Sequence, residues 1–66
     1  MRDAIPRLFA KVTAKLEDLH MVAVDGQRRD NSTDMQRVLA AQLRMGIASL
    51  GVSLAEIANG LGDDHE

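Results

Sequence analysis

The side chains able to do chemistry in this 66-residue chain are few and scattered. Glu17 and Asp18 are the carboxylates that come closest to an acid–base pair, but neighbours on a helix point in different directions and cannot close on one proton. His20 and His65 are the only histidines, and their separation argues against a shared metal centre. His65 stands among Asp63, Asp64 and Glu66, a group able to attract a divalent cation but with no preorganised geometry. The chain has no cysteine, which removes thiolate zinc sites, disulfides and thiol nucleophiles. No Gly-rich phosphate loop occurs. Catalysis needs a nucleophile and base, or paired carboxylates, in a pocket that excludes water. The expectation is a chain that is not an enzyme, with no cofactor and no metal.

Two basic groups remain. Arg7, Lys11 and Lys15 follow one another at i, i+4 and i+8, one row along a helix, suited either to phosphate contact or to a solvated flank. Arg28-Arg29 reads as a small anion site or as a charged loop tip.

The elements that must carry these residues are helical. A first helix is expected over about 3–24, with Asp3 as cap and Pro6 tolerable in the first turn, where backbone N–H groups have no intrahelical acceptor. Ile5, Phe9, Val12, Leu16, Leu19 and Ala23 recur at spacings of four and three, a heptad seam widened by Leu8 and Val22, with His20 half-buried at its edge. Asp25-Gly26 reads as its stop, the glycine taking a left-handed C-cap, and 25–32 as a polar loop. A second helix is expected over about 33–50, capped by Thr33 with Gln36, or else by Asn31 or Ser32. Gly51 then reads as a stop. Ser53 with Glu56 has the spacing of a capping box, and Val52 with Ile57 that of a hydrophobic staple. A short third helix over about 54–59 follows. Residues 1–62 make one helical domain and 63–66 an acidic tail.

The second helix carries more apolar surface than a hairpin requires. Met35, Leu39, Leu43, Ile47 and Leu50 form one stripe; Val38, Ala41, Met45 and Ala48 form another, rotated away from it. The surplus stripe has the i, i+3, i+7 register of helix-in-groove docking, and Met45 at its centre is a side chain suited to adaptable surfaces or to irregular cores. Either a second copy of the chain or another protein is expected to cover it.

Size and composition point the same way. A chain this short buries only about 60% of the surface its unfolded form exposes, so small domains lean on disulfides, metals or oligomerisation. Only oligomerisation is left here. The formal charge of −2 gives no global bias toward nucleic acid, although the first sixteen residues are net positive and the last eleven carry only acidic charge. Phe9, the single aromatic, provides no stacking platform for single strands. The longest apolar runs, Met21 to Val24 among them, are far below the roughly 20 residues of a membrane span, and residues 1–6 lack the apolar core of a secretion signal. A soluble, cytoplasmic chain with no membrane association is expected.

The string Ile47 to Ser53, with Ile57 beyond, resembles the turn of a helix-turn-helix. Ala48 lies three residues before Gly51 where that motif has its small residue four before, and Leu54 to Asn59 has neither Arg nor Lys to meet phosphates or guanine edges. The Leu50 to Ile57 segment also resembles a helix corner of MerR-type regulators that lies outside their recognition helix. In length and layout the chain is similar to Rop-type plasmid proteins, a likeness of architecture that implies two hairpins paired as a four-helix bundle acting on RNA hairpins.

The fold expected is therefore all-α, a helical hairpin plus a short third helix, pairing as a homodimeric four-helix-bundle-like core. The function expected is a small non-catalytic regulatory binding protein that docks Val38, Ala41, Met45 and Ala48 on a larger protein, such as a transcription factor, and inhibits or redirects it. The alternatives are a Rop-like RNA or DNA modulator using Arg7, Lys11 and Lys15, and an assembly adaptor.

Overall fold

A computed structural model of the protein describes residues 4–63. Two helices, α1 (Ala4–Gly26) and α2 (Thr33–Asp63), pack against each other as an antiparallel hairpin measuring 53 × 15 × 11 Å. The proposed Asp3 cap and residues 64–66 of the acidic tail, His65 included, lie outside the described residues.

The turn is built from local hydrogen bonds. The amides of Gln27 and Arg28 donate to the carbonyls of Val24 (3.0 Å) and Asp25 (3.3 Å), and Asn31 Nδ2 donates to Asp25 O (2.7 Å). These bonds satisfy the Val24 and Asp25 carbonyls at the end of α1 without a left-handed residue, and no glycine among the described residues has positive φ. Gly26 therefore ends α1 as its last helical residue and not as the left-handed cap expected. Of the candidate caps for α2, Ser32 is used: its Oγ accepts from the Met35 amide at 3.0 Å.

The break expected at Gly51 is not there. α2 runs through Gly51, Ser53 and Gly60 to Asp63, so the third helix expected over 54–59 lies within the last third of α2, and Asp63 is the final residue of α2. The reason lies in what the capping residues do instead. Ser53, only 1% exposed, accepts from Lys15 Nζ across the hairpin at 2.6 Å, so its hydroxyl is not used as a cap. Val52 is exposed, leaving no staple to Ile57. An interior glycine costs a helix about 1 kcal/mol, less than burying Ile57, which is worth about 1.5–3 kcal/mol.

The seam differs from the one expected by a small rotation of each helix. On α1 the least exposed residues are Ile5, Leu8, Val12, Lys15, Leu19, Val22 and Gly26; on α2 they are Leu39, Leu43, Gly46, Leu50, Ser53, Ile57 and Gly60. Both sets alternate spacings of three and four, the a and d positions of a heptad. Phe9, Leu16 and Ile47, expected in the seam, stand half-exposed beside it, and His20, expected at its edge, is exposed. Glycine explains the shift. A Cβ at Gly46 would collide with the Leu19 side chain, and one at Gly60 would lie 2.9 Å from Ile5 Cδ1. Leucine and isoleucine knobs of α1 thus seat on bare backbone of α2, a contact that no hydrophobic count of the sequence registers. Among the described residues only Ile57 and Ser53 are buried.

By length and composition Thr33–Gly62 is also apolar enough to cross a membrane. Counting uninterrupted apolar runs misses this, because Gly and Ser interrupt the runs while adding little polarity.

Candidate functional site

With the seam at a and d, every other position falls on a defined side of the hairpin. In an antiparallel pair the g positions of the two helices share one flank and the e positions the other. The g flank is polar. Lys11 pairs with Glu56 at 3.6 Å, and Asp18, Gln42 and Ser49 line a groove whose floor includes Leu19 and Gly46. Lys15 reaches this groove from the seam, donating to Ser49 O at 3.1 Å as well as to Ser53.

The e flank is apolar from Leu61 to Ala40, with Thr33 as the polar position at its loop end. Near the loop, Ala23 of α1 and Ala40 of α2 line one groove with Val22, Leu39 and Leu43, and with the polar Gln27 and Gln36. Further along, Phe9 and Leu16 of α1 are 53% and 50% exposed, and Ile47, Leu54 and Leu61 of α2 are 60%, 50% and 52% exposed. No charged residue occupies an e position in either helix.

The residues singled out for partner binding lie on a third surface, the side of α2 turned away from α1. Val38 (50% exposed) and Met45 (73% exposed) share one row, and Ala41 and Ala48 share the next; all four are exposed. Since α2 is continuous, the rows extend by one heptad each, to Val52 (62% exposed) and Ala55. Sequence reasoning missed this extension because it stopped the helix at Gly51, although seven residues separate Met45 from Val52. Charges border the surface at Asp34, Arg37 and Arg44, with Asp34 and Arg37 paired at 3.4 Å.

The basic row is divided by the fold. Arg7 lies on the outer side of α1, Lys11 is joined to Glu56, and Lys15 is half-buried in the seam. Arg28 meets Asp30 through two bonds, Nε to Oδ1 at 3.2 Å and Nη2 to Oδ2 at 2.9 Å, an exposed fork that pairs its guanidinium with the loop's own carboxylate. His20 lines a shallow groove with Thr13, Leu16, Glu17 and Met21, on the outer side of α1. Among the described residues no group of three or more His, Asp or Glu side chains is placed to hold a metal ion, and no buried side-chain polar atom lacks a partner.

What this geometry offers is contact. The seam uses one face of each helix, and the exposed apolar rows that remain are long, regular and largely free of charge. Compared with protein-family models, curated proteins and solved structures, the chain finds no match.

Proposed function

We propose that the protein is a small, non-catalytic regulatory binding protein that docks on a larger protein, such as a transcription factor, and that it works as a homodimer of hairpins in the cytoplasm. The observation that carries this is the outer surface of α2. Val38, Met45 and Val52 form a row at heptad spacing, all at least half-exposed, beside a row of alanines that lets another backbone approach closely. Helix-in-groove partners take such rows as anchors. Methionine at the centre tolerates imperfect complementarity, because its unbranched thioether adapts to the groove it meets. The cysteine-free composition suits a reducing compartment. The nucleic-acid alternative has less support, since Lys11 and Lys15 have partners within the hairpin.

The test is photocrosslinking in the source cell, with a benzophenone amino acid placed at position 45. The expected result is one discrete adduct with a larger, different protein, abolished by Val38→Asp together with Val52→Asp. Adducts with the chain itself alone, or none, would overturn the reading.

A further inference from the structure

We infer that the apolar e flank is the surface on which a second copy of this chain docks, leaving the outer surface of α2 for the hetero-partner; the assignment rests on the reading of the protein as a pair of hairpins. Three observations lead to it.

The first is shape. Ile5 lies opposite Gly60 and Leu19 opposite Gly46. By that register Phe9 falls level with the interval between Leu54 and Leu61, and Leu16 with the interval between Ile47 and Leu54. The flank is therefore one interleaved strip two helices wide, from Leu61 at the open end to Ala40 near the loop, about 32 Å at 1.5 Å per residue. The outer surface of α2 is only one helix wide, and the matching side of α1 bears Arg7 and Glu17.

The second is self-complementarity. A two-fold rotation sets a surface against itself, so any charge on it risks meeting its own kind. The e rows carry none, whereas Lys11, Asp18 and Glu56 crowd the opposite flank. Pairing on the e flank turns two hairpins into a four-helix bundle with a, d and e positions inside, the usual width of a bundle's core face.

The third is area. The chain exposes 5320 Å², ends included, where a compact monomer of 7.2 kDa exposes about 4,100 Å². The excess of about 1,200 Å² is spread over the whole of this elongated hairpin, and an interface covering the ~800 Å² per partner of a standard dimer would remove most of it.

Light scattering coupled to size exclusion, run on the wild-type chain at two concentrations, tests the pairing, and single cysteines in this cysteine-free chain test the surface. Leu16→Cys and Leu54→Cys lie on the e flank, Ser49→Cys on the g flank and Met45→Cys on the outer surface. Treated with a short bis-maleimide, the two e-flank variants are expected to yield at least fivefold more covalent dimer than the other two. Ile47→Glu is expected to lose the dimer, folded or not, at a concentration where Met45→Glu remains a helical dimer by circular dichroism. A monomeric wild type, equal crosslinking from all positions, crosslinking chiefly through Met45→Cys, or an Ile47→Glu variant that stays dimeric would overturn the assignment. So would a monomeric wild type bound to phosphatidylcholine–phosphatidylglycerol vesicles, which would hand the flank to lipid. A dimer joined through another surface sinks this assignment and keeps the pairing; a monomer sinks both, and leaves hetero-docking through position 45 to its own crosslinking result.

Discussion

Lys15 is the residue whose placement most changes the reading of the chain. In sequence it belongs to a basic row; in the hairpin it occupies a seam position and donates to Ser53 Oγ and Ser49 O. A hydrogen bond to a charged group is worth about 1.5–3 kcal/mol when one partner is removed. Ser53→Ala is therefore expected to destabilise the fold by about that amount in urea denaturation, since it strips a partner from a half-buried ammonium. Lys15→Met combined with Ser53→Ala is expected to recover most of the loss, because replacing both members of a buried polar pair by apolar groups is often neutral or stabilising. If the double variant is as unstable as Ser53→Ala alone, the pair has no energetic role of its own. The ion pairs Lys11–Glu56 and Arg28–Asp30 are surface contacts that screen in salt and contribute little.

At the scale of the element, α2 owes its length to packing and not to propensity. Its four glycines do different things. Gly51 faces open space, so Gly51→Ala is expected to stabilise by about 1 kcal/mol through helix propensity and a less free unfolded chain. Gly46 seats Leu19, so Gly46→Val is expected to destabilise by about 1–3 kcal/mol by forcing the helices apart. Thermal unfolding followed at 222 nm reads both; equal signs would mean that the helices do not cross where Leu19 meets Gly46. The same contrast bears on the helix end that the sequence suggested. A glycine and a capping box raise the probability of a stop, but both cost only about 1 kcal/mol to override, and Ile57 and Ser53 gain more by staying in register with α1.

For the whole molecule the governing quantity is how little a single hairpin covers. With Ile57 as the buried hydrophobic among the described residues, one hairpin has almost no core to set against the entropy of ordering its chain. Stability should then depend on association. The midpoint of thermal unfolding is expected to rise by several degrees over a hundredfold increase in protein concentration, as mass action requires when only the associated state is folded. A midpoint independent of concentration would show a hairpin that holds itself together unaided.

The sequence alone determined the helical class, the position of the loop and the surplus of apolar surface on α2. Heptad spacing, polar loop composition and the lack of cysteine are local or compositional properties, and each was read without knowing what touches what. It also placed Val38, Ala41, Met45 and Ala48 on one exposed side, because helical periodicity needs no partner to be legible. Only the tertiary structure decided which residues line the seam, that α2 continues past Gly51, and that Lys15 leaves the basic row. Those outcomes turn on where two backbones approach most closely. Gly46 and Gly60 set that approach through the side chains they lack, and once Leu19 and Ile5 seat there, each helix is rotated so that Phe9, Leu16 and Ile47 move out of the seam and onto the apolar flank.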